Sequence, residues 1–179
     1  MIYYSEWEQD FIIDKLLSEK TDGTFVDIGA NHYCNNNNSY FFERERNFHG
    51  IGIELDPKYT EGWNNRKTPF IIADATTIDY QELFTKYNLP NTIDFLSIDT
   101  DPPQISLQCL QKVLQSNYQF NVIDFEVDNI PEIIQTTKEL LTAKGYILVK
   151  EIHIHGGRHH LDDFYVHESF YKKGMENWE

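Results

Sequence analysis

The chain has 179 residues, 40% of them apolar and 15% aromatic, enough for one domain with a real core and too few for two. No stretch approaches the roughly 20 apolar residues of a membrane span, and the acidic opening Met1-Ile-Tyr-Tyr-Ser-Glu-Trp-Glu8 carries no export signal, so cytoplasmic residence is expected. With 15 Lys and Arg against 29 Asp and Glu, the formal charge of −14 repels a phosphate backbone and weighs against a nucleic-acid partner.

Residues 1–179 read as a single domain, with a leading helix at about 6–20, a core at 23–167 and a short tail at 168–179. Trp7, Phe11, Ile12, Leu16 and Leu17 recur at helical spacing until Thr21-Asp22-Gly23. Thr24-Phe-Val-Asp-Ile28 is a short apolar run stopped by Gly29, which suits a strand buried on both faces. A polar run with the tract Asn35-Asn-Asn-Asn38 precedes a helix from 40 to about 47, and Gly50-Ile-Gly-Ile-Glu54 completes a β-α-β unit. The alternation continues with a helix at 58–66, a strand at 69–74, a helix at 80–87 and a strand at 92–98. A helix at 105–115, a strand at 120–125, a helix at 131–143 and a long strand at 145–155 follow. After Gly156-Gly157 the chain can return antiparallel at 161–167. This pattern predicts a three-layer α/β, Rossmann-like fold, its sheet mostly parallel with an antiparallel strand from the C-terminal hairpin. Cys34 and Cys109 have no partner at metal or redox spacing and read as free thiols.

Ligands of open parallel sheets bind beyond the carboxyl ends of the strands. Here those ends carry Asp27 and Gly29, Glu54, Asp74, Asp99 and Asp101, and Asp124 and Glu126. One such acid is an ordinary cap or turn former; five strand ends in register are not. Glu54, 27 residues after Asp27, is placed to take both hydroxyls of a ribose. The loop Gly29-Ala-Asn-His-Tyr-Cys-Asn35 holds one glycine, so the Gly-x-Gly-x-x-Gly needed to admit a pyrophosphate is missing and NAD and FAD are disfavoured. S-adenosyl-L-methionine has no phosphate and carries a sulfonium and an ammonium, both drawn to carboxylates. The expected cofactor residues are Asp27, Gly29, Ala30, Asn31, Ser39, Glu54, Leu55, Asp74, Ala75 and Asp99.

From Gly23 to about His167 the sequence resembles the FkbM-like methyltransferases. The resemblance lies in Phe25-Val-Asp-Ile-Gly-Ala-Asn31, Asn38-Ser-Tyr-Phe-Phe-Glu43, Gly50-Ile-Gly-Ile-Glu54, Arg66, Ile93-Asp-Phe-Leu-Ser-Ile-Asp-Thr-Asp101, Phe125-Glu-Val-Asp128 and Asp162-Asp-Phe-Tyr-Val166. Pro102-Pro103 stands where the family usually has a glycine, and four asparagines where it has smaller residues. The resemblance implies methyl transfer to an oxygen, commonly a hydroxyl of a sugar, glycan or other small metabolite. A hydroxyl needs a base as the new bond forms. Asp99 is the first candidate, and Asp101, Glu126 and His153 are the others.

Glu151, His153 and His155 alternate along one face of the last long strand and, with His159, His160, Asp162 and Asp163, read as a solvated polar face or as a metal site. No compact ligand spacing favours the metal. Magnesium at Asp99, Asp124 and Glu126 is also disfavoured, because that ion commonly uses one or two carboxylates and many waters; no metal ligand is assigned. A catalytically inactive binding module on the same fold is the alternative function. The presence of Asp27, Gly29, Glu54 and Asp99 together argues against it. Neither the acceptor nor the oligomeric state is encoded in a recognisable motif.

Overall fold

The computed structural model describes residues 2–177; Met1 and the last two residues of the expected tail lie outside the described residues. Strands β1 (Thr24–Ile28), β2 (His49–Glu54), β3 (Phe70–Ile72), β4 (Thr92–Ile98), β5 (Gln119–Glu126), β6 (Tyr146–Ile154) and β7 (His159–His167) form one sheet in the order β3-β2-β1-β4-β5-β7-β6. Strands β1 to β5 are parallel, and β7 runs antiparallel to both of its neighbours, β5 and β6. The predicted antiparallel strand is therefore present, inserted between β5 and β6 rather than added at the edge.

Alternate residues of the buried strands feed two cores. Val26, Ile28, Leu96 and Ile98 pack on one face with α4 (Tyr80–Lys86), α5 (Pro103–Val113) and α6 (Pro131–Ala143). Phe25 and Phe95 point to the other face, where they meet α1 (Gln9–Leu16) and α2 (Tyr40–Glu45). Phe25 stacks on Phe95 at 5.5 Å and Phe42 packs on it at 4.5 Å; each such buried ring contributes roughly 1.5–3 kcal/mol. Arg46 at the end of α2 makes a two-point bond to the buried carboxylate of Asp14, 2.8 Å at each oxygen, and so ties α2 to α1.

Three elements are shorter than their hydrophobic pattern predicts, for local reasons. Asp10 turns its carboxylate back to the Tyr4 and Ser5 amides, while Glu8 before the helix and Ser18 and Glu19 after it adopt positive φ, so α1 occupies only part of 6–20. The helix expected at 58–66 divides into a 3-10 turn, Pro57–Tyr59, and a single turn α3 (Thr60–Trp63). Strand β3, at the sheet edge, pairs over three residues only.

Candidate active site

The order of the sheet reverses between β1 and β4. Above that point lies a cavity of about 610 Å³, lined by Asp27, Gly29, Ala30, Asn31, Glu54, Leu55, Asp74, Ala75, Asp99 and Glu126 among others. Nine of the ten expected cofactor residues therefore share one space. Gly29 makes it possible. Its φ is +82°, and a Cβ there would stand 1.8 Å from the Asp99 carbonyl oxygen, so only glycine lets the chain leave β1 so close to β4. The Gly29 and Ala30 amides donate to the Ile53 carbonyl at 2.9 and 3.0 Å, folding the loop toward β2.

The asparagine tract shapes the next turn. Asn31 and Asn36 take φ of 47° and 53°, the left-handed region that asparagine tolerates better than most residues. Asn37 donates to Asp27 and to the Ala30 carbonyl, at 3.2 and 2.8 Å. Ser39, the tenth expected residue, does not line the cavity. It is fully buried behind Asp27, to which its hydroxyl donates at 2.6 Å, because α2 begins beneath the loop rather than beside the ligand space. Arg66 closes this layer: its guanidinium donates to Glu43, Asn37, Ser39 and the Tyr33 carbonyl and lies 4.1 Å over the Trp63 ring. Burial pushes the Asp27 carboxyl up to about 6, against the pull of Ser39 and Arg66.

Glu54 ends β2 and accepts three backbone N–H groups, from Asn31 at 3.0 Å and from Leu55 and Asp56 at 2.9 Å. A carboxylate has about four acceptor positions, so Glu54 has one left for a ribose hydroxyl in this arrangement, not the two expected. Leu55 stands 67% exposed at the rim. Asp74 accepts from the Thr76 amide and hydroxyl, which hold its carboxyl below the usual range.

On the far side of β1 the acids crowd together. Asp99 and Glu126 face each other within reach of a shared proton. Burial and the neighbouring Asp99 push Glu126 up to about 10, while Asp99, raised by burial, is drawn back by the proton that Glu126 presents. Glu126 therefore carries a proton at neutral pH, and burial raises the Asp99 carboxyl beside it as well. Behind them Asp162 is pushed up to about 8 and Asp124 well above the carboxylate range, both chiefly by burial. One oxygen each of Asp124 and Glu126 is buried without a partner among the described residues.

These shifts set a pH dependence. Unfolded carboxyls titrate near 4, whereas folded Asp27 and Asp162 hold protons up to about 6 and about 8. The folded state binds more protons in that window, so the stability these groups contribute is complete below about 4 and is lost as the pH rises through their folded values. The ligand-free protein is expected to melt several degrees lower at pH 9 than at pH 6, at roughly 2–4 °C per kcal/mol for this size. Asp162→Asn should narrow that gap; a melting temperature no lower at pH 9 in the unaltered protein refutes the assignment.

His153 is not in the cavity. Strand β7 lies between β5 and β6, which carries His153 to the sheet edge, where it bonds Glu151 at 3.0 Å and stacks on His160 at 4.5 Å. Its nomination as a base is corrected accordingly. Sequence reasoning missed Glu6, Asn37, Asn38, Lys58, Tyr59 and Thr100, which also line the cavity; the asparagine tract was the one visible signal. The turn after β4 has a cis bond between Asp101 and Pro102, and Pro103 opens α5. Of the residues read from sequence as a solvated face or a metal site, Glu151, His153 and His160 do bring metal-ligating atoms together.

The sequence matches no protein-family model and no curated protein. Solved structures do resemble it. The METTL16 methyltransferase domain has 15% identity and a TM-score of 0.66, the match covering 96% of this chain and 71% of that one. Aeropyrum pernix fibrillarin, with S-adenosyl-L-methionine natively bound, has 12% identity and a TM-score of 0.61 over 90% of this chain and 74% of its own. Burkholderia thailandensis 1,6-didemethyltoxoflavin-N1-methyltransferase, with 1,6-didemethyltoxoflavin and S-adenosylhomocysteine bound, has 13% identity and a TM-score of 0.57 over 89% and 76%. At such identities the likeness is one of architecture: the chain has the Rossmann-like methyltransferase fold.

Proposed function

We propose that the chain is an S-adenosylmethionine-dependent methyltransferase acting on a hydroxyl oxygen of a small metabolite or glycan. The observation that carries this reading is the acid-lined cavity at the sheet's switch point. Its volume of about 610 Å³ suits a nucleoside-sized ligand, for which sites of roughly 300–1,000 Å³ are usual. The residues fit the donor chemically. Glu54 retains an acceptor position for a ribose hydroxyl, Asp27 and Asp99 oppose positive charge, and Asn36 and Asn37 bring amides to the wall.

When bound, S-adenosylmethionine supplies a methyl carbon on a positively charged sulfur. The chain's own work is proton management. Asp99 in its ionised form, fixed by the Glu126 proton, accepts the hydroxyl proton as the oxygen–carbon bond forms and the carbon–sulfur bond breaks, and later releases it to water. Glu126, neutral, holds Asp99 in place without adding a second charge to the site. The FkbM-like resemblance supports a hydroxyl acceptor, and the net charge of −14 opposes a nucleic acid. No helix among the described residues is long and apolar enough to cross a membrane.

Calorimetry with S-adenosylhomocysteine tests the donor assignment. The product should bind, and Glu54→Ala should weaken it about 10- to 100-fold, because a hydrogen bond to a charged group is worth roughly 1.5–3 kcal/mol. Unchanged affinity in the variant removes Glu54 from the ribose; no binding to the unaltered protein favours the inactive binding module.

A further inference from the structure

We infer that the β6–β7 hairpin carries a transition-metal site of the zinc type, formed by Glu151, His153 and His160, separate from the cavity. Each of the three offers one ligand atom, and these atoms lie within 4.8 Å of one another, close enough for a single ion to draw them in. The ligand set, two imidazoles and a carboxylate, is one that zinc accepts in tetrahedral geometry with water in the fourth position.

The fold builds this cluster by a specific irregularity. Glu151 and His153 share one face of β6, with Ile152 turned into the core between them. On β7 the register slips between the Ile152 and His153 pairs, so Leu161 is the extra residue and His160, not Leu161, lies opposite His153. In a regular strand, residues three apart face opposite sides. The bulge puts His160 and Asp163 on the same side, and the His160 Nε2 meets the Asp163 carboxylate at 2.7 Å. Asp163 is fully buried and also accepts from the Tyr165 hydroxyl at 3.0 Å. With its Nε2 proton held by Asp163, His160 has the tautomer that leaves Nδ1 as a ligand, the carboxylate-to-histidine support typical of metal sites. Glu151 and His153 are exposed, so an ion can enter without unfolding the sheet. Because β6 is the edge strand, an ion bound across it would fasten that edge to β7.

The test uses the full chain and zinc itself. Titration at pH 8 should show one ion per chain with micromolar or tighter affinity and a rise in melting temperature by mass action; cobalt in its place should give the d–d absorption of a low-coordinate site. His153→Ala and His160→Ala should each weaken zinc at least tenfold and remove the cobalt band, while His155→Ala, in the turn outside the cluster, should leave both unchanged. Asp163→Asn, which keeps the shape but not the charge, should weaken zinc about 10- to 100-fold. Absence of saturation below millimolar zinc overturns the inference. So does zinc affinity that persists in the His153→Ala, His160→Ala double variant, which would place the ion among the cavity acids.

Discussion

Replacing Asp99 by asparagine is expected to lower turnover by about 10²–10⁴-fold, the usual contribution of a positioned general base, equivalent to roughly 3–5 kcal/mol in the barrier. Asparagine keeps the shape of the side chain and loses its ability to take a proton. Donor affinity should change little, which separates loss of the base from collapse of the site. Glu126→Gln should cost less than tenfold. Glu126 is pushed up to about 10 and already neutral, and an amide N–H can replace its O–H toward Asp99. In the unaltered protein the rate should fall as the pH drops and Asp99 takes up a proton, because the base must be ionised, and burial moves that fall to higher pH than for an exposed aspartate. The measurement is label transfer from S-adenosylmethionine to an acceptor found by screening hydroxylated metabolites and glycans. An Asp99→Asn variant that retains turnover within tenfold of wild type removes Asp99 as the base.

The second large effect is expected at Gly29. Alanine there would hold φ near +82° and set its Cβ 1.8 Å from the Asp99 carbonyl oxygen. The left-handed backbone costs about 1–3 kcal/mol. The clash adds about 1–3 kcal/mol, as overpacking does, since the obstacle is backbone of the neighbouring strand and cannot rotate away. Asp99 donates its amide to the Ile28 carbonyl at 3.0 Å, so β1 and β4 cannot part without losing their ladder. Gly29→Ala should therefore lower the melting temperature by at least about 5 °C, at roughly 2–4 °C per kcal/mol, and weaken S-adenosylhomocysteine at least tenfold. Gly157→Ala carries the backbone cost alone, so the difference between the two variants isolates the clash: Gly157 has φ of +82° as well, with nothing within 4 Å of a Cβ. If Gly29→Ala melts no lower than Gly157→Ala, the close approach of β1 to β4 is not limiting.

The amino-acid sequence by itself determined the elements and the principal wall of the cavity. Apolar runs such as Thr24–Ile28 and Thr92–Ile98 are buried along nearly their whole length, and periodicity alone reports that environment. Because parallel strands all present their carboxyl ends on one side, Asp27, Glu54 and Asp99 had to converge once the alternation was recognised. What periodicity cannot carry is which strand lies beside which. The insertion of β7 between β5 and β6 moved His153 out of the site and brought Asp162 behind Asp99. Arg66 and Ser39 acquired their roles beneath the loop from side-chain bonds spanning 12 to 29 positions. Glu151, His153 and His160 became neighbours through a one-residue bulge. Strand ends follow from local pattern, whereas cross-strand register is set by the packing of two core faces at once and by a turn whose geometry only the folded chain fixes.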